Sequence, residues 1–495
     1  YCSLLFLRRH TLARSTRIFW GRPNIFRPNR VLRSRTHTGH LALESLGMSS
    51  ILILGAKLVN EGTVEEKDVL VDATGRISRI ESDLSAATAD ETIDAAGHYL
   101  LPGLIDDQVH FREPGHTHKG TIASESRAAA AGGITTFMEM PNVVPPTTSM
   151  ERLRGKLAIA ARDSVVNYSF YLGASNTNIE DVKTASPEEI AGVKIFMGSS
   201  TGDMLVDNET ALEQIFLHAP TPIATHCEHT PTILENEKAF RGRLGDEVPF
   251  SAHPEIRSRE ACLRSSTFAV ELARRNNARL HVLHITTAEE LDLFDAGPVD
   301  GKRITAEACV HHLHFDDSAY ATHGSLVKCN PAIKKPSDRQ AIRKAVNDGR
   351  IDVIATDHAP HTLEEKDSSY FQAPSGLPLA QHSLLILLEL WRDGVFTLET
   401  IVERACHAPA QLFGIQERGF LREGHWADLV LVDTHSETHV TPNTLQSKCR
   451  WSPFDGQTFR SRIAATIVSG QVAYRDDQVR DQVRGHQVVF AKERR

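Results

Sequence analysis

Imidazoles, a carboxylate and a lysine stand in this sequence where short apolar runs end. His110 and Arg112 follow the run Gly103 to Asp106, and Asn142 follows Ile134 to Met140. Lys194 lies inside Gly192 to Met197, His226 closes Pro222 to His226, His284 falls near the end of Leu280 to Ile285, and Asp357 closes Ile351 to Asp357. Such residue types converging on one place have the makings of a divalent-metal site. Each alone has an ordinary explanation. A lone histidine closing a strand is more often a hydrogen-bonded core or loop residue, a strand lysine snorkels or pairs with an acid, and Asp357 would serve as a helix cap. The joint pattern is harder to obtain from packing requirements, because the candidates recur near the same end of separate strands.

Convergence of that kind needs a scaffold that brings strand ends together. Between about residues 101 and 413, strand-like runs alternate with helical stretches, the pattern of a parallel sheet wrapped by helices. Adding Tyr168 to Gly173 and Ile304 to Val310 to the runs above gives eight strands. Lys119 to Ala131, Glu209 to His218 and Glu260 to Arg275 are helical spacers, and Gly132-Gly133 is a cap and turn before the second strand. The expectation is an α/β chain with a (β/α)₈ TIM-like barrel over 101–413, whose active site sits at the C-terminal ends of the strands. Short strands with turn punctuation at 48–100 and again at 414–480 predict one small β-sandwich built from both chain ends, with 481–495 as a C-terminal tail.

Composition narrows the function classes. The chain has 495 residues, 41% hydrophobic and 24% charged, as in ordinary globular proteins. Residues 1–47 hold nine Arg and one acid, Glu44, a net +8, so the rest carries −16 of the formal −8 total. This leader reads as a targeting segment or as translated upstream sequence, and it is set apart from the fold. The acidic body has no basic stripe for nucleic acid. No apolar window is long enough to span a membrane. The seven cysteines are scattered with no C-x-x-C pair, which argues against a disulfide framework or a cysteine zinc site and fits a reducing cytoplasm.

Several segments carry a resemblance. Pro102-Gly-Leu-Ile-Asp-Asp-Gln-Val-His-Phe-Arg-Glu-Pro-Gly115, Gly133-Ile-Thr-Thr-Phe-Met-Glu-Met-Pro-Asn142, Gly192-Val-Lys-Ile-Phe-Met197, Ala224-Thr-His-Cys-Glu228, Asn330-Pro331 and Ala355-Thr-Asp-His-Ala-Pro-His361 resemble, in order, the signature segments of dihydroorotases of the amidohydrolase superfamily. Hydantoinases, dihydropyrimidinases and allantoinases share the metal framework; His-Phe-Arg-Glu-Pro-Gly followed by Thr117-His-Lys119 favours the dihydroorotase group. The resemblance implies one or two Zn²⁺ per subunit and a Lys194 that reacts with CO₂ to give a bridging carbamate. His226 and His284 would complete one metal, and His110 and Asp357 would serve the other. It implies Asp357 as general base, and Arg112, Asn142, Asn330 and His361 as the residues that hold a small-molecule substrate. Among these Arg112 is the most informative, because a guanidinium offers a fork to a carboxylate. Its ordinary alternative is a surface ion pair with Glu113 or Glu139, and Asn330 before Pro331 could simply start a turn. His358 is read as structural or supporting. A homo-oligomer, dimer or tetramer, is implied as well, with room for association with aspartate transcarbamoylase.

One residue departs from the family pattern. Where the family has Asp-x-His-x-His, this chain reads Asp106-Asp107-Gln108-Val109-His110, so Gln108 takes the first histidine position. An amide oxygen is neutral and can coordinate, though more weakly than imidazole for zinc. The second metal position is therefore the weaker one. A different class, a noncatalytic subunit that scaffolds a partner enzyme, rests on Gln108 alone, and the retained Lys194, His226, His284 and Asp357 argue against it.

Overall fold

A computed structural model describes residues 49–198 and 204–494. The leader at 1–47 lies outside the described residues. The first strands are β1 (Ile51–Asn60), β2 (Thr63–Val71), β3 (Ile77–Glu81), β4 (Glu91–Asp94) and β5 (Tyr99–Pro102). The barrel strands are β6 (Leu104–Val109), β7 (Ile134–Glu139), β8 (Asn167–Phe170), β9 (Leu172–Gly173), β10 (Val193–Phe196), β11 (Ile223–His226), β12 (Leu280–Val282), β13 (Ile304–Cys309) and β14 (Val353–Ala355). The closing set is β15 (Leu429–Asp433), β16 (Thr438–His439), β17 (Thr458–Phe459), β18 (Arg462–Val468), β19 (Gln471–Arg475) and β20 (Gln478–Val479).

Strands β6 to β14 form a closed parallel barrel. The hydrogen-bonded order runs β6-β7-β8 and β9-β10-β11-β12-β13-β14. β8 and β9 are two halves of one strand, interrupted at Tyr171, whose N–H donates to Glu139 O. The eight strand positions therefore match those read from the apolar runs. Closure is made by polar groups: Asp106 accepts from Thr356 N (3.1 Å) and from Thr356 Oγ1 (2.6 Å), and His110 N donates to His358 O (2.7 Å). Those three bonds bring the ends of β6 and β14 together, and with them His110 and Asp357.

Helices between the strands start and stop where side chains dictate. Thr121 caps Ile122–Ala131 through a capping box with Ser124, and the chain then turns at Gly133, φ +82°, a conformation glycine adopts without Cβ strain. Glu209–His218 is capped by Asn208, and Arg259–Asn276 by Ser258 with Asn277 left-handed at its end. Among the described residues no helix is long and apolar enough to cross a membrane.

Both chain ends build one β domain. β20-β19-β18-β15-β5-β1-β2-β3 form a single nine-stranded sheet, β4 pairing beside β1, and β16-β17 form a separate ribbon. The start of β3 bonds back to the segment before β15, through Ile77 N to His425 O and Ala427 N to Gly75 O. The sheet thus folds over a core that includes Ile51, Val69, Leu100, Leu429 and Ile467. The tail beyond 480 packs against the N-terminal end of the barrel: Tyr168 N donates to His486 O and Val488 N to Tyr168 O, and the buried Arg494 guanidinium donates to the carbonyls of Ile190, Ala191 and Phe413.

Candidate active site

A cavity of about 100 Å³ opens at the C-terminal ends of the barrel strands, lined by Gln108, His110, Arg112, Asn142, Lys194, Phe196, His226, His284, Asn330, Asp357, Ala359, Ser375 and Gly376. Strand register explains the convergence. Phe196 pairs with His226, Thr225 with Val282, Cys309 with Ala355, and Val109 bridges to His358, so the strands end level with one another. Three of the functional residues sit just past a strand in the left-handed region: Arg112 at φ +72°, His284 at +43° and Asp357 at +50°. Such backbone costs on the order of 1–3 kcal/mol per residue, and it persists where surrounding bonds fix it. For His284 the fixing bond comes from Glu307, whose Oε1 accepts from His284 N at 2.9 Å.

Lys194 is buried, points inward from β10, and its Nζ has no hydrogen-bond partner. The centroid of the Phe196 ring lies 4.6 Å from Nζ. Neither solvent nor an acid explains this lysine. Burial pushes its pKa down to about 7, against the opposing field of Asp357 and Glu307. A neutral amine is the form that reacts with CO₂.

His226 Nδ1 and His284 Nε2 face each other at 2.9 Å. His226 Nε2 meets Glu228 Oε2 at 2.9 Å, and Glu228 also pairs with Arg257. Burial raises the Glu228 carboxyl, but Arg257 and His226 outweigh it and hold it at about 2. An anionic Glu228 fixes the proton of His226 on Nε2, so Nδ1 offers a lone pair toward His284. This is the arrangement of a metal-ligating histidine held by a carboxylate. Burial pushes His226 down and His284 far down, so both rings are neutral. On the other side His110 Nδ1 donates to Asn142 Oδ1 (2.7 Å), leaving Nε2 3.1 Å from Asp357 Oδ1. Burial opposes ionisation of Asp357, yet the bond and charge of His110 prevail and keep its carboxyl below the usual range. His226 Nδ1, the His284 ring, His110 Nε2 and Asp357 Oδ1, gathered in one cavity with an orphaned Lys194, are a donor set that fits divalent cations and an anionic group on Nζ. Gln108 lines the same cavity; its Oε1 faces the Cys309 thiol at 3.8 Å and retains a second lone pair.

The residues expected to hold substrate are gathered on one wall. Arg112 is buried, donates from Nε to Pro360 O (3.0 Å) and brings NH2 to 3.0 Å from His361 Nε2. It has no ion pair with Glu113 or Glu139: Glu113 accepts from Ile122 N, and Glu139 pairs with Lys156 at 2.8 Å. Burial lowers the guanidinium to about 10, where it stays charged. His361 also meets Lys119 Nζ at Nδ1 (3.0 Å) and Ser375 O at Nε2 (3.0 Å). Burial first, then the neighbouring cations Arg112 and Lys119, hold this ring neutral. Asn330 Oδ1 accepts from Ser375 Oγ (3.0 Å). Asn142, whose oxygen is occupied by His110, has its amide N–H groups to offer a ligand. Asp357 caps no helix, because Thr362 caps the one that follows. His358 lies behind the site, bonded to Glu125 and to the amides of Leu379 and Ala380.

Sequence reading missed Glu228, Glu307 and the loop carrying Ser375 and Gly376. Glu307 had a signal, an acid inside the apolar run Ile304 to Val310. The loop had none: its carbonyls are gathered by two buried lysines, Lys328 Nζ on Tyr370 O and Ala373 O, and Lys366 Nζ on Pro374 O and Gly376 O.

Comparison with known proteins agrees with this geometry. The model of the amidohydrolase family matches residues 99–473. A dihydroorotase of Methanothermobacter thermautotrophicus is 33% identical over 391 residues, covering 79% of this chain and 88% of the relative. An allantoinase of Bacillus velezensis is 31% identical over 434 residues, covering 86% and 94%. Among solved structures, the L-hydantoinase (dihydropyrimidinase) of Arthrobacter aurescens superposes with a TM-score of 0.84 at 26% identity, covering 89% of this chain and all of that one. With a barrel whose mouth gathers neutral imidazoles, an ionised aspartate and an orphaned lysine, and with a family match over most of its length, this chain belongs to the amidohydrolase family.

Proposed function

We propose that the chain is a dihydroorotase, hydrolysing the cyclic amide of (S)-dihydroorotate reversibly to N-carbamoyl-L-aspartate in de novo pyrimidine (UMP) synthesis. The observation that carries this reading is the buried Arg112 guanidinium, held in the cavity beside the imidazole and aspartate set. A free carboxylate on the substrate ring gives such a cation its partner, and a neutral ring leaves it buried and uncompensated. The dihydroorotase relatives, 30–33% identical across most of the chain, support the same substrate.

In this reading His226 and His284 would hold one Zn²⁺, His110, Asp357 and, more weakly, Gln108 would hold a second, and a carboxylated Lys194 would serve both. Bound there, the metal supplies Lewis acidity to the ring carbonyl and acidifies the attacking water. Neutral Lys194 forms the N–C bond to CO₂ and loses a proton, becoming an anion. Asp357 takes a proton from the water as it adds to the carbonyl carbon and returns it to the ring nitrogen as the C–N bond breaks. Arg112 pairs with the substrate carboxylate, while Asn142 and Asn330 contact the ring amide. His361, kept neutral with Nδ1 accepting from Lys119 and Nε2–H donating to Ser375 O, stands beside the Arg112 guanidinium on the substrate wall. In the synthetic direction the same residues close the ring with loss of water. A hydrolysis panel of dihydroorotate, allantoin and dihydrouracil tests the assignment: dihydroorotate should be turned over with the highest kcat/KM, and preference for either neutral ring would overturn it.

A further inference from the structure

One layer below the mouth, toward the N-terminal ends of the same strands, a second group of ligand atoms converges. Asp107 precedes Gln108 on β6, His281 lies three residues before His284 on β12, and Glu307 lies two before the end of β13. All three side chains are completely buried. Their ligand atoms lie within 4.8 Å of one another. His281 Nε2 is 3.1 Å from Asp107 Oδ2 and 3.8 Å from Glu307 Oε2. None of these contacts is aligned as a hydrogen bond: both oxygens of Asp107, His281 Nε2 and Glu307 Oε2 are without partners. Buried carboxylate oxygens in that condition call for an ion or a proton.

The tautomer of His281 is fixed from behind. Thr305 Oγ1 donates its only proton to Leu280 O (3.2 Å), so it accepts from His281 Nδ1–H at 2.8 Å. Nε2 then presents a lone pair to two carboxylates. This repeats the mouth, where His110 donates from Nδ1 and leaves Nε2 3.1 Å from Asp357 Oδ1. Donors bound to one ion at about 2.1 Å stand roughly 3.0–3.4 Å apart, so the His281–Asp107 pair at 3.1 Å already fits and Glu307, 3.8 Å from His281, closes on them by moving inward. Charge closes as well, since two carboxylates and a neutral imidazole around a divalent ion sum to zero in a place without solvent.

We propose that Asp107, His281 and Glu307 form a second, internal metal site that binds a divalent transition ion, Zn²⁺ or Mn²⁺, and ties β6, β12 and β13 together beneath the active site. The ion is structural and takes no part in the reaction proposed above. Glu307 Oε1 stays on His284 N, so the ion also anchors the backbone of a mouth residue. The competing occupant is a proton. With no ion, burial pushes His281 down, but Asp107 and Glu307 carry it up to about 9, and burial followed by Asp107 raises Glu307.

The test is the location of metal in the full chain. Crystals of protein loaded with Zn²⁺ or Mn²⁺, measured above and below the metal absorption edge, should show an anomalous peak among the three residues, separate from any at the mouth. Native protein dialysed against chelator should keep about one equivalent and release it on unfolding, because a sealed site loads with folding. Asp107→Asn should lose that retained equivalent. An absence of anomalous density there, with folded chelated protein free of metal, would show that protons occupy the site and would overturn the proposal. If Asp107→Asn does not fold, the crystal of the unaltered chain still decides.

Discussion

Replacing Arg112 by methionine keeps length and apolar volume and removes the charge. The guanidinium is buried, so a carboxylate meeting it would do so largely out of water. Truncating one partner of such a pair costs about 2–5 kcal/mol, much of it from stranding the other charge. At about 1.4 kcal/mol per tenfold, kcat/KM for dihydroorotate should fall between roughly 30-fold and several thousand-fold. The substitution also removes the bond to Pro360 O and the contact with His361, a loss of about 1–2 kcal/mol in stability. That loss is common to all substrates and cancels in a ratio. The assay is therefore kcat/KM for dihydroorotate against dihydrouracil in both proteins, with metal content measured alongside. The expected result is a collapse of the dihydroorotate preference at unchanged metal content. An unchanged ratio would refute the pairing of Arg112 with a substrate carboxylate.

Lys194→Ala should lose both activity and the mouth metal, and short carboxylic acids should restore part of the turnover; full activity by assay with undiminished metal by elemental analysis would sink the bridging role. Because burial holds Lys194 at about 7, its neutral form gains ground as pH rises through that value, so reactivation of metal-stripped protein by bicarbonate and zinc should speed up from pH 6 to 8 and then level off. The same depressed pKa makes the unfolded chain the better proton binder between about 7 and about 10.4, so this lysine's contribution to stability rises with pH across that window. Glu228→Gln removes the anion that orients His226 and should weaken metal binding about 10- to 100-fold in chelator competition, with the fold intact by circular dichroism. Gln108→His should tighten the weaker of two mouth sites in stepwise chelation, and equal affinities before and after would contradict its assignment as a poor ligand. Lys366→Met removes the Nζ donor from the carbonyls of Pro374 and Gly376, while Lys328 O keeps the Gly376 N–H, which should lower stability by about 2 kcal/mol in urea unfolding and raise KM more than it changes kcat.

Much of the site was legible in the sequence because a parallel barrel turns linear order into a ring. Each apolar run that ends in His, Lys or Asp reports one spoke, and eight spokes share one mouth. The helix Glu209–His218 was legible for a related reason, its bounds marked by Asn208 before it and Ala219-Pro220 after it. What was hidden depends on contacts between distant segments. Glu228 follows His226 by two residues, yet its role comes from Arg257, which no periodicity links to it. The Ser375–Gly376 wall is held by two buried lysines beneath it and by His361 and Asn330 beside it, and nothing in the local sequence links these residues. Asn142 looked like a substrate residue and has its oxygen on His110, a division between the two ends of one amide that spacing cannot reveal. The internal trio was invisible for a further reason: Asp107 reads as a neighbour of Gln108, and its partners lie 174 and 200 positions away along the chain.

The central claim is that this mouth hydrolyses a cyclic amide bearing a carboxylate and needs its metal to do so. Turnover of dihydroorotate measured on the protein as purified, after chelation, and after return of zinc with bicarbonate tests that claim most directly. Activity should be present, fall with the chelatable metal and return with it. A metal-replete protein that leaves dihydroorotate untouched, or one that turns it over equally well after the mouth metal is gone, would contradict it.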